Sequence, residues 1–287
     1  MDPQVVLAII NIVMAGIFGA VIGSFTNVCI YRIPEKRTIV KGHSMCMTCG
    51  HELGALDLVP IFSWLFLGGK CRYCKTPISS RYIKIESLTA LAYMLMAVTH
   101  LDYFMDPMNP TENILPFIAL CAMFIMTNIV IVEMMIMKDT GSSMFRLSTA
   151  LVIDLAVQVG AKAIYVKAHG TDGVISSSIP SLLVGILIGA LIGLAGVVLA
   201  VLLSTKSKHL SKYFSSAKMR PFRTNDLFAI VLCASIGTWP AVITAVGYVI
   251  ARMVIGDGKN VKFLGIFLAL SAAIGYYGYC ALTMLAL

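Results

Sequence analysis

The sequence predicts an all-α polytopic membrane protein of about eight transmembrane helices, with a small cysteine-containing domain between the first two. Three observations predict it. Of 287 residues, 59% are hydrophobic and only 13% are charged, with a mean hydropathy of +0.89. Soluble domains sit near half apolar and a quarter charged. Apolar stretches long enough to approach a bilayer crossing recur along the chain, each bounded by polar loops. Finally, the basic residues sort by loop. That sorting turns the net charge of +8 away from a nucleic-acid reading, which needs one basic face.

A crossing helix needs about 20 apolar residues. Residues 5–30 supply the first. Met1 to Gln4 contain no Lys or Arg, so a signal-peptide basic region is missing and no cleavage is expected. Residues 31–85 form the polar insert. Further apolar stretches fall at 86–101, 115–137, 145–166, 180–204, 226–239, 240–256 and 261–287. The sixth and seventh abut at "GTWPAV", Gly237 to Val242, where Gly and Pro suit a tight turn, so the count is seven or eight. The division is therefore a first helix over 1–30, a four-cysteine domain over 31–85 and a membrane domain over 86–287.

Loop charge orients the chain. The 31–85 insert holds nine Lys and Arg, and the basic loop 205–223 holds six, so both are expected in the cytoplasm. The loop "LDYFMDPMNPTEN" holds none and is expected outside. Eight spans, with Arg252, Lys259 and Lys262 counted in the last inner loop, place 20 of 22 basic residues inside. An odd count breaks that asymmetry, so eight is preferred.

Within the insert, Cys46/Cys49 and Cys71/Cys74 are two C-x2-C pairs separated by 21 residues. Each short loop points two sulfurs at one centre, the arrangement that tetrahedral Zn2+ takes. Iron or redox-active thiols are the alternatives. A disulfide is the weaker reading in the reducing cytosol. An insert of about 50 residues has little core of its own, and a structural metal supplies the missing free energy. His43 and His51 are nearby, but four thiolates already fill a tetrahedron. Cys29, Cys121, Cys233 and Cys280 lie in apolar stretches as ordinary buried thiols.

These residues resemble the bacterial type IV prepilin leader peptidases, membrane aspartic proteases that also methylate the cleaved prepilin. "GSFTNVCIYRIP", Gly23 to Pro34, is similar to the family's Gly-Ser-Phe-x-Asn-Val-x-x-x-Arg-x-Pro. The two cysteine pairs follow. The stretch Asp57 to Leu91 is close to the family throughout, with Arg81, Tyr82 and Glu86 in place, and "KFLGIFLAL", Lys262 to Leu270, is a looser echo. The resemblance implies a protease of the bacterial plasma (inner) membrane cutting prepilin-type leaders on the cytoplasmic side. It also implies N-methylation of the new amino terminus with S-adenosylmethionine.

The resemblance also implies a catalytic pair of carboxylates sharing a proton. One aspartate ends the third helix, and the other belongs to a Gly-x-Gly-Asp motif opening the sixth. Here the second motif reads "RTND", Arg223 to Asp226: Asp226 is kept, and Arg223 and Asn225 replace both glycines. At the first position, in "NIVIVEMMIMKD", Glu133 stands where the family has aspartate. Glu133 and Asp226 are the expected dyad, with Asp139 in the following loop and Asp154 near mid-bilayer. The blander readings are a Glu133–Lys138 ion pair, Asp226 as a helix cap, and Asp154 in a local hydrogen bond. The departures sustain a second hypothesis, a catalytically impaired homologue that binds pilin-like or secretion-assembly proteins. A transporter ranks third, because no inverted repeat is visible.

Overall fold

A computed structural model describes residues 3–99, 110–169, 179–206, 224–236, 238–255 and 263–285. The helices are α1 (Pro3–Arg32), α2 (Phe62–Phe66), α3 (Arg81–Thr99), α4 (Pro110–Thr140), α5 (Phe145–His169), α6 (Ile179–Lys206), α7 (Thr224–Ser235), α8 (Thr238–Ile255) and α9 (Leu264–Leu285). Among the described residues there is no extended sheet, only two isolated antiparallel bridges, Met45–Glu52 and Lys70–Pro77. The chain forms two compact units, Met1–Pro107 and Met108–Leu287.

Among the described residues four helices are long and apolar enough to cross a membrane: α1, α3, the Phe117–Thr140 part of α4, and the Leu183–Leu203 part of α6. Helices α7, α8 and α9 are also apolar. Helix α7, at 12 residues, is about 18 Å long, well short of a hydrocarbon core of about 30 Å. Helix α7 ends at Ser235 and α8 starts at Thr238, so "TWPAV" is already helix. Pro240 sits in the first turn of α8, where its missing N–H has no helical partner to lose. The basic loop 205–223 lies almost wholly outside the described residues.

In the first unit, α1 and α3 pack antiparallel, and glycine decides how closely. A Cβ on Gly16 would meet Met94 at 2.8 Å, one on Gly19 would meet Ala90 Cα at 2.9 Å, and one on Gly23 would meet Glu86 Cα at 2.8 Å. Small residues at i, i+3 and i+7 thus let two backbones touch, a common device between membrane helices, where lipid supplies no hydrophobic drive. The threonine hydroxyls in this seam are satisfied locally: Thr26 and Thr89 donate to the carbonyls of Ile22 and Ile85 at 2.9 Å each. Asn27 Nδ2 reaches the Tyr82 carbonyl at 3.3 Å. Helix α3 starts at Arg81 rather than 86, because Ser79 Oγ accepts from the Arg81 N–H at the helix start. Gly23→Leu is expected to destabilise the protein by about 1–3 kcal/mol through overpacking. Gly160→Leu, where nothing lies within 4 Å, is the control. Equal melting temperatures for the two variants in detergent would refute the seam's importance.

The second unit buries Met126, Met137, Leu151, Val197, Phe228, Leu232, Tyr248 and Leu268 in one core. Met126 and Met137, both of α4, pack there as core side chains. Helix α4 runs to Thr140, so Asp139 is an exposed residue of its last turn rather than of a loop. Gly141 follows at φ +76°, and its N–H donates to the Met137 carbonyl at 2.8 Å. This left-handed cap turns the chain into α5 within four residues. The turn sets Ser143 and Met144 beside the carboxylate described next.

Candidate functional site

Each cysteine pair sits in a hairpin-like knuckle built by the same bonds. Cys46 N–H donates to the His51 carbonyl at 2.9 Å, and Gly50 N–H returns to the Cys46 carbonyl at 2.8 Å. Cys71 N–H donates to the Thr76 carbonyl at 2.9 Å, and Lys75 N–H returns to Cys71 at 3.0 Å. Gly50 and Lys75 hold equivalent places, both at positive φ. The first knuckle gives that place to the residue that adopts it freely, the second to one that is strained there. The four Sγ atoms of Cys46, Cys49, Cys71 and Cys74 lie within 4.8 Å of one another, with Cys46 and Cys74 3.8 Å apart. A tetrahedron of sulfurs about 2.3 Å from zinc has edges near 3.8 Å. All four thiols are free, so the cluster could hold a metal ion and is compatible with zinc. The Thr76 side chain and backbone draw the Cys74 thiol down to about 6, towards the thiolate that binds metal. His51 stacks near Tyr73, with ring centroids 3.6 Å apart.

Asp57 clips the connecting loop to the second knuckle. It accepts from Arg72 Nε at 2.6 Å, from Tyr73 Oη at 3.1 Å and from the Gly54 N–H at 3.2 Å. The Arg72 guanidinium holds its carboxyl below the usual carboxylate range. The connection between the pairs is therefore itself folded.

In the second unit, Glu133 and Asp226 are both fully buried. Glu133 sits on α4 about two turns before its end, and Oε1 accepts the Met144 N–H at 2.9 Å. The Ser143 side chain stands beside this carboxyl, but no hydrogen bond of normal geometry reaches Oε2. The neighbouring N–H, that of Ser143, donates to Asn225 Oδ1 on α7. Consecutive amides of one turn, whose Cα atoms are about 3.8 Å apart, thus hold Glu133 and the residue preceding Asp226. The expected pair is brought to one neighbourhood by the α4–α5 turn.

The surroundings of Asp226 were not legible in the motif. Its Oδ1 accepts from both Tyr248 Oη and Arg252 Nη1, and Arg252 also donates to Tyr248 at 3.0 Å. Tyr248 and Arg252 lie one turn apart on α8, and both are about 1% exposed. Arg252 is therefore not a loop charge, as the count of inner basic residues assumed, but the buried counter-ion of Asp226. The spacing of an Arg four residues after a Tyr inside an apolar span was the available signal. Asp226 is the third residue of α7 and not its cap. Lys138 is exposed, whereas Glu133 is buried. Asp154 accepts from Gln158 Nε2 at 2.8 Å on its own helix, the bland role expected of it.

Comparison with known proteins supplies the kinship. Residues 17–100 match the bacterial peptidase A24 N-terminal domain. The prepilin leader peptidase/N-methyltransferase of Myxococcus xanthus (strain DK1622) is 44% identical over 77 residues, 27% of this chain and 23% of that protein. The protein of the same name from Dichelobacter nodosus is 31% identical over 127 residues, covering 35% of this chain and 43% of its own. That of Vibrio cholerae is 32% identical over 133 residues, covering 43% and 48%. The chain thus spans less than half the length of these relatives. No solved structure matches. Over residues 17–100 the chain is thus similar to the bacterial peptidase A24 N-terminal domain, and over that part to the prepilin leader peptidases.

Proposed function

We propose that this protein is a prepilin-peptidase-like aspartic endopeptidase of the bacterial inner membrane. It would cut leader peptides of type IV prepilin-like proteins on the cytoplasmic side, with Glu133 and Asp226 as its carboxylates. The observation that carries this reading is the α4–α5 turn, whose adjacent amides bind Glu133 Oε1 and Asn225 Oδ1. Roles divide by environment. Asp226, the partner of Arg252, is the base toward water. Glu133, with no cationic partner among the described residues, is the acid that protonates the scissile carbonyl's oxygen or the leaving amine.

The four cysteines hold Zn2+ as a structural ion, which would brace a cytoplasmic module that clamps the substrate. Methylation of the new amino terminus with S-adenosylmethionine rests on the resemblance. The partners are prepilin-like substrates and the lipid bilayer.

One observation favours a second reading, a non-cleaving homologue that binds pilin or secretion-assembly proteins. Asp226 Oδ1 is already taken by an arginine and a tyrosine, which compete with a catalytic water for the carboxylate. Co-expression with a prepilin from the same organism, followed by mass analysis of its amino terminus, separates the two. Leader loss with a free or methylated new terminus supports the peptidase. An intact prepilin that co-purifies with the chain supports the binding protein.

A further inference from the structure

Helix α2 presents an apolar face to its surroundings: Phe62 is 57%, Leu65 54% and Phe66 85% exposed. Three exposed aromatic and aliphatic side chains on one short helix of a polar module call for a covering. The level at which the module holds them shows which one.

The border of the α1–α3 pair is marked by side chains suited to a membrane–water interface. Tyr31 and Tyr82 stack with centroids 5.8 Å apart, and the Arg81 guanidinium lies 5.2 Å over the Tyr31 ring. Tyr and Arg at the ends of apolar helices mark the headgroup level. Glu86 lies five residues past Arg81, about 7.5 Å further along α3. Its side chain leans back toward the helix start, as helical side chains do. Its Oε2 accepts the N–H of Ile61, the residue that opens α2, at 2.7 Å. The start of α2 is therefore held at the depth of the Tyr–Arg girdle, not out in the water.

The backbone there meets the condition that lipid imposes, which is that polar groups be satisfied internally. Pro60 has no N–H. The N–H of Ile61 goes to Glu86, that of Phe62 to the Pro60 carbonyl at 2.6 Å, and that of Ser63 to the Val59 carbonyl at 3.0 Å. Ile61 adopts φ +64°, a strained value for a β-branched residue that its Glu86 bond holds in place. Trp64 Nε1 donates inward to the Ile78 carbonyl at 3.3 Å, and its ring packs against Gly69. The Ile61 N–H and Trp64 Nε1 turn inward, and Phe62, Leu65 and Phe66 turn outward. Outward apolar surface continues on α3, where Leu88 is 42% and Leu91 54% exposed.

We propose that α2 is an interfacial membrane anchor, with Phe62, Leu65 and Phe66 seated at the boundary of lipid headgroups and acyl chains. Lys70 and Lys84 flank it in sequence and suit anionic headgroups. The anchor pins the cysteine module flat against the bilayer that α1 and α3 cross.

The test is photocrosslinking of the full chain in its native membranes. A benzophenone amino acid replaces Phe66, Leu91 or Val40, one at a time. Leu91 is the membrane-facing control, and Val40, 86% exposed, is the water-facing one. The expected result is a phospholipid adduct at position 66 with a yield comparable to that at 91 and far above that at 40. A lipid adduct at 91 with none at 66 overturns the proposal. So does a position-66 adduct with another polypeptide in place of lipid, because α2 would then be a protein-docking surface.

Discussion

Replacing either Asp226 or Arg252 alone should destabilise the protein by about 3–5 kcal/mol, and replacing both should recover much of the loss. The reason is burial. The two groups form an ion pair at 0% and 1% exposure, and removing one partner strands the other's charge away from water. Asp226→Asn with Arg252→Gln removes both charges and keeps comparable shapes. Melting temperatures of the two single variants and the double variant in detergent or nanodiscs give the coupling directly. If the two losses simply add, the pair is not the stabilising unit the structure draws.

This changes how the catalytic test is read. Loss of cleavage in Asp226→Asn is ambiguous, since the protein would also be weakened. Glu133→Gln is the cleaner probe, because Gln keeps an oxygen for the Met144 N–H and no cation is left behind. In the peptidase reading it should lower leader cleavage by a factor on the order of 100 or more, as loss of a general acid does, with stability unchanged. Glu133→Asp, which restores the family's residue, is expected to cut at least as well as the native chain. Full cleavage by Glu133→Gln would remove Glu133 from the chemistry.

Metal removal should have an equally large effect in the other unit. Zinc bound by four thiolates contributes about 10–16 kcal/mol in isolated metal-binding peptides. The knuckles offer little else: two isolated bridges, a few turn bonds and the Asp57 clip. Chelation, or Cys46→Ser, should therefore unfold residues 44–78 and open them to proteolysis. Helices α1 and α3 should stay paired through their glycine seam. Metal analysis should give about one zinc per native chain. A metal-free protein whose module resists protease as well as the native one would show that the cysteines are not its scaffold.

The sequence alone determined the membrane-like helices, the two knuckles and the likeness to prepilin leader peptidases. These follow from local rules: apolar length, C-x2-C spacing, and a contiguous motif from Gly23 to Leu91. It also picked out Glu133 and Asp226, because each stands where the resembled family has its acid and an acid near the end of an apolar span is rare. Tertiary structure decided what those acids touch. Arg252 looked like one more loop cation, yet one turn of α8 carries it and Tyr248 onto Asp226. The Ser143 and Met144 amides, polar backbone with no side-chain signature, join Glu133 to Asn225. Glu86, a polar residue beside a cysteine motif in the sequence, became the clasp for Ile61, 25 positions earlier. Hydropathy and spacing are sums over neighbours in the chain. An ion pair or a cap in trans depends on where two distant segments are placed, and that is set only when the helices pack.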